Sequence, residues 1–147
     1  MNQSKIKIIG LAIVSAIVFW LIFKKFQENN PLSPLKVHFS GDFENDIILE
    51  SWNTSQNSII GKVFNSSNEP IENLLIFNID SQIFLAAKPI QNDKYTFFFL
   101  ENETKNIFLF SNSEHNFPKY IKYEFTKDSV LTTVWNESST ITSNLTK

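Results

Sequence analysis

From residue 35 onward the chain alternates short apolar runs with polar separators. The runs cover residues 36–39, 47–52, 58–64, 74–79, 82–88, 95–100, 107–110, 120–125 and 129–135. Phe, Ile, Val, Tyr and Thr dominate them, the residue types that suit a pleated, half-buried surface. Several runs alternate with period two. Ile121, Tyr123 and Phe125 share one face, with Tyr120, Lys122 and Glu124 on the other. Val130, Thr132 and Val134 oppose Leu131, Thr133 and Trp135 in the same way, the signature of a strand wetted on one side. The separators carry turn chemistry. Residues 65–70 read as a long loop; Asp80-Ser81, Gln91-Asn92-Asp93, residues 101–105 and Lys127-Asp128 read as hairpin connections. This spacing predicts an all-β, antiparallel, up-and-down meander. Closing it into a barrel of about 8–10 strands removes the exposed edges. A sandwich is the competing architecture.

The amino terminus follows a different pattern. Residues 8–23 read IIGLAIVSAIVFWLIF, with no charge. A spanning helix needs about 17–25 apolar residues; Ile6 and Phe26, whose lysine neighbours can snorkel, bring the run to that length. Lys5 and Lys7 form the basic region of a secretory signal. The run ends in bulky residues, Phe19 to Phe23, then Lys24 and Lys25, where a cleavage site needs small ones. The expectation is an uncleaved transmembrane signal anchor over 8–25 after a short cytoplasmic tail, 1–7. Lysines flank both ends, so charge bias hardly orients it. The short tail favours export of the C-terminal domain to the periplasmic or extracellular side of a single-pass membrane protein. Residues 26–34, with Pro31 and Pro34, read as a tether. Residues 35–137 read as the β domain and 138–147 as a polar, frayed tail.

Composition removes several function classes. The 147 residues allow one domain plus an appendage. With 13 basic residues against 15 acidic, and every basic residue a Lys, there is no basic cluster for nucleic acid. The absence of Cys removes disulfides, thiolate metal sites and cysteine nucleophiles. His38 and His115 alone provide no metal-ligand spacing. No phosphate loop, dinucleotide fingerprint or nucleophile elbow is present, and no cofactor is implied.

The segment 110–118 is the least generic. Pro118 pushes Phe117 out of the helical region, and His115 lies just before this kink. A histidine there either bonds a loop carbonyl, serves binding or catalysis, or faces water. Glu50 is the second candidate. In the run 47–52, Ile48, Glu50 and Trp52 share one face. If that face is buried, the carboxylate needs a partner such as a Tyr, a Lys or His115. If Ile47, Leu49 and Ser51 point inward instead, Glu50 meets water. Glu72 precedes the run 74–79, and Tyr123 sits mid-strand, so Glu50, Glu72, His115 and Tyr123 form a candidate acid–base cluster. The 15 Phe residues fill a core or line a pocket. In Phe97-Phe98-Phe99, Phe98 must oppose its neighbours, which leaves one sheet face apolar where water is expected.

The pattern from about Gly41 to Trp135 resembles the bacterial DUF6265 family of small β-barrel domains, for which no activity is assigned. The carrying residues are Glu50-x-Trp52, Gly61, Glu72, and Phe110-x-Asn112-x-x-His115-Asn116-Phe117-Pro118 followed by Ile121-x-Tyr123. The family usually shows His-Asp-Phe-Pro, and Asn116 replaces the Asp here. Gly41-Asp42-Phe43 looks like a weakened Gly-x-Trp start of lipocalin-like barrels. The resemblance implies a calycin-like barrel, often secreted or membrane-attached, and no reaction. With the residue pattern it marks Glu50, Trp52, Glu72, His115, Asn116, Phe117 and Tyr123 as candidate ligand-binding residues. Three functions compete. The first is an anchored module binding a small apolar or amphiphilic ligand, which requires a cavity of roughly 300 Å³ or more. The second is a partner-binding envelope domain that uses the exposed apolar sheet face. The third is an enzyme with His115 as general acid or base, assisted by Glu50 or Glu72.

Overall fold

The alternation closes on itself. In a computed structural model, described for residues 30–147, a short helix precedes ten strands. The helix is α1 (Ser33–His38). The strands are β1 (Gly41–Glu44), β2 (Ile48–Thr54), β3 (Ser58–Asn65), β4 (Pro70–Ile79), β5 (Gln82–Pro89), β6 (Thr96–Glu103), β7 (Ile107–Ser111), β8 (Tyr120–Phe125), β9 (Ser129–Trp135) and β10 (Thr140–Thr146). Each strand pairs antiparallel with its sequence neighbour, and β1 meets β10, so the sheet is a closed up-and-down barrel rather than a sandwich. The tail expected over 1–7, the anchor over 8–25 and the first residues of the tether lie outside the described residues. Among the described residues no helix is long and apolar enough to cross a membrane.

Three expectations are corrected. Residues 36–39 form a helical turn and not a strand. Leu32, Leu35 and Phe39, three and four apart, are fully buried, while Val37 is 75% exposed; that is a helical period. Pro34 lies in the first turn, where its missing N–H costs nothing, and the Leu32 amide donates to Asn30 Oδ1 at 2.9 Å. Residues 30–34 therefore belong to a packed plug and not to a free tether. The second correction is at the other terminus. Residues 138–147 supply β10, in register with β9 from Thr140↔Trp135 to Thr146↔Ser129. Only Ile141 and Leu145 are apolar there, but threonines favour strands, and Leu145 is completely buried. The third concerns 65–70. The long loop is a tight connection in which Asn65 Oδ1 accepts the Ser67 and Glu69 amides, and Glu72 lies inside β4 rather than before it.

The plug defines the two ends of the barrel. Asn30 Nδ2 and Lys36 Nζ both donate to the Gln56 carbonyl in the β2–β3 turn, at 3.2 and 2.7 Å. Phe39 projects into the barrel and meets the rings of Trp52, Tyr123 and Phe125 at 4.9, 4.9 and 4.8 Å. Phe43 and Phe108 complete this aromatic half of the core. Trp52 lies flat over Gly61, its partner across the β2–β3 ladder. A Cβ at Gly61 would stand 2.5 Å from the indole ring, so the close approach requires glycine. Toward the other end the inward positions shrink to Val63, Ala87, Thr96, Thr132, Val134 and Ser143. Bulky rings fill one half of the barrel, and small side chains leave the other half hollow.

Candidate functional site

The hollow half is a cavity of about 580 Å³, inside the roughly 300–1,000 Å³ range of small-molecule sites. Ile48, Val63, Leu74, Phe98, Ile121 and Val134 form its apolar walls. Asn92, from the β5–β6 loop, and Phe117 and Pro118, from the β7–β8 loop, stand at its mouth. Glu50, Glu72, His115, Tyr123, Thr132 and Ser143 contribute the polar groups.

Strand register explains how the carboxylates come together. Glu50 on β2 pairs with Val63 on β3, and Val63 pairs with Glu72 on β4. Paired residues share a face, so both glutamates point into one layer of the barrel, two strands apart. The open question about the β2 face is thereby resolved: Ile48, Glu50 and Trp52 face inward, and Glu50 is 5% exposed. Its partner is the indole of Trp52, whose Nε1–H donates to Oε2 at 3.2 Å. Burial pushes the Glu50 carboxyl up to about 7; the indole bond opposes this, and the nearby Glu72 charge adds to it. Burial also raises Glu72. Tyr123 is held well above the usual phenol range, first by burial and then by the two carboxylates.

His115 is positioned by its loop. The Asn112 side chain caps the turn, its Oδ1 accepting the Glu114 and His115 amides, and its Nδ2 donates to the Phe97 carbonyl. His115 Nδ1 lies 2.8 Å from the Pro118 carbonyl oxygen. A carbonyl only accepts, so Nδ1 carries the proton, and Nε2 is the acceptor in the neutral ring. The ring stands edge-on to Phe98 at 5.8 Å. His115 is thus both a loop anchor and a cavity wall. No hydrogen bond joins it to Glu50 or Glu72; its ring bond is to Pro118.

Five of the seven predicted binding residues line the cavity: Glu50, Glu72, His115, Phe117 and Tyr123. Trp52 does not line it; it is buried in the aromatic half and reaches the site through its indole bond to Glu50. Asn116 does not line it; its carbonyl accepts from Asn136 Nδ2 at 2.8 Å and ties the β7–β8 loop to the β9–β10 turn. The sequence reading missed Thr132 and Ser143. Thr132 already shared a face with Val130 and Val134, but the opposite face, with Leu131 and Trp135, was equally apolar, so the sequence did not show which one looks inward. Ser143 was lost with the assignment of 138–147 as a tail. Thr132 Oγ1 is buried with no hydrogen-bond partner.

Among the described residues no group of three or more His, Asp or Glu side chains converges to hold a metal ion. A second depression, about 680 Å³, runs along the closed end beside Asn30, Pro34, Ser81 and Glu103. It is larger than the cavity, but it is an open groove without the buried titratable groups. The buried titratable groups Glu50, Glu72 and Tyr123 line the barrel cavity instead. No family model, no curated protein and no solved structure matches this chain.

Proposed function

We propose that the chain is a membrane-anchored binding domain of the cell envelope that holds a small apolar or amphiphilic ligand inside the barrel. The cavity of about 580 Å³, apolar-walled with a few convergent polar groups, supports this reading. The resemblance to the DUF6265 family and the calycin-like assignment belong to the same proposal, and the closed up-and-down barrel supports them. The anchor over 8–25 and the exported domain are also part of the proposal. The first described residue, Asn30, is tied to the β2–β3 turn at the plugged end. Four residues, 26–29, then separate the anchor from the barrel and reach at most about 14 Å. The plugged end faces the bilayer in this arrangement, and the cavity opens away from it, toward water. Native mass spectrometry of the full chain, gently extracted from its own membrane, tests the reading. An additional mass that leaves on denaturation is expected; the bare chain mass refutes it.

One observation favours the second reading, a partner-binding face. On the outer wall of β4–β6, Phe77 stacks on Phe84 at 5.4 Å, and Phe97 and Phe99 extend the cluster at 6.3 and 5.2 Å. Phe97 and Phe99 stay nearly half exposed, a contiguous aromatic patch of the kind that marks interaction surfaces. A cross-linked partner lost on Phe97→Ser with Phe99→Ser, while cavity binding persists, would support this reading.

A further inference from the structure

We propose that the cavity is selective for an amine-headed amphiphile, whose ammonium sits between Glu50 and Glu72 while its apolar part lies along Phe98, Ile121 and Val134. The inference rests on the ligand-binding reading above and names the head group. It starts from register: β2, β3 and β4 present two carboxyls to one layer with only Val63 between them. Glu50, which lines the cavity, has one oxygen held by Trp52, and among the described residues no hydrogen bond or ion pair engages the other. Glu72 has no hydrogen-bonding or ion-pairing partner among the described residues. No lysine lines the space. The two salt bridges between described side chains, Lys119–Glu137 and Lys122–Glu124, involve neither carboxyl.

A second, independent observation points to a ligand. Thr132, nine-tenths buried, lines the same cavity, and its hydroxyl has no partner. A buried hydroxyl left unsatisfied is costly unless something occupies the space beside it. An ammonium brings three donors and no acceptor. The acceptors that line the space are the second Glu50 oxygen and the Glu72 carboxyl, with the Thr132 hydroxyl enclosed beside them. A carboxylate head group would meet two like charges in a low-dielectric space. An alcohol head group has one donor for this surplus of acceptors. The titratable groups facing the site are Glu50 from β2, Glu72 from β4, His115 from the β7–β8 loop and Tyr123 from β8. Burial already raises both carboxyls, and a bound ammonium would restore them to the charged form.

The test uses the full chain in lipid nanodiscs and three water-soluble probes of one chain length: hexylamine, 1-hexanol and hexanoate. Binding is measured by titration calorimetry near pH 7.5, with empty nanodiscs as blank. Hexylamine is expected to bind at least tenfold more tightly than hexanol, and hexanoate at least tenfold more weakly. In Glu50→Gln/Glu72→Gln, checked for folding by circular dichroism, the preference for hexylamine over hexanol is expected to vanish; a preference that persists in the folded variant overturns the assignment. Hexanol binding as well as hexylamine in the unmodified protein overturns the amine assignment and leaves the binding reading standing. That ranking does not depend on the variant folding. Binding of none of the three overturns both.

Discussion

Glu50→Gln isolates the cost of keeping a carboxylate inside the barrel. The perturbation is nearly isosteric, and the amide oxygen can still accept the Trp52 indole N–H. In the native protein burial lifts this carboxyl from its ordinary 4.5 to about 7. Folding therefore retains a proton that the unfolded chain releases. The sign follows from linkage: stability is fully present below the unfolded value and is lost as pH rises through the folded one. At about 1.4 kcal/mol per pH unit, the whole difference amounts to about 3 kcal/mol, most of it lost between about pH 5 and about pH 8. Urea unfolding followed by circular dichroism across that range measures it. The unmodified protein is expected to lose stability steadily toward alkaline pH. Glu50→Gln is expected to flatten most of that slope and to be the more stable of the two at about pH 8.5. The residual slope belongs to Glu72, which burial also raises, and should disappear in the double glutamine variant. Equal slopes in the two proteins would show that Glu50 is solvated or otherwise paired, and the account of the site would fail.

Other outcomes follow from the packing. Gly61→Ala puts a methyl where the Trp52 ring lies and should cost about 1–3 kcal/mol, relieved in the double variant Gly61→Ala/Trp52→Leu; an unchanged urea midpoint would contradict the close approach. Phe39→Ala removes the ring at the centre of the aromatic half and should cost about 3–5 kcal/mol by the same assay. Truncation after Ser139 deletes β10 and exposes β1 and β9 as edges, so hydrogen exchange should lose protection along both strands and unfolding should lose cooperativity. Phe97→Ser with Phe99→Ser alters outer-wall rings that are already nearly half wet and should change stability by no more than about 1 kcal/mol; a larger loss would show that the patch supports the barrel itself.

Much of this molecule was legible in its residues. Short runs of strand-forming residues between polar turns, several of them alternating with period two, set eight of the ten strands and the up-and-down order. The same alternation set Phe98 against Phe97 and Phe99, and grouped Thr132 with Val130 and Val134 without saying which face is the inner one. It could not choose which face of β2 looks inward, since Ile48 and Trp52 on one side balance Ile47 and Leu49 on the other. That choice belongs to the barrel: Trp52 has room only where Gly61 on β3 leaves a gap, and Glu50 then goes inside with it. Helix α1 escaped for a related reason. Its buried apolar positions, flanks included, number only three, and Pro31 and Pro34 read as tether until a barrel end exists for Leu32, Leu35 and Phe39 to close. The polar stretch 138–147 lacks the hydrophobicity to declare itself, yet in the barrel it pairs with both β1 and β9 and closes the edges they would otherwise present. The cavity, finally, is a difference between two halves of one interior. Single residues announce their size and polarity, but whether small ones stack in one layer and rings in another is decided by register and closure. It is closure that brings Glu50, Glu72, His115 and Thr132, far apart along the chain, to face one space.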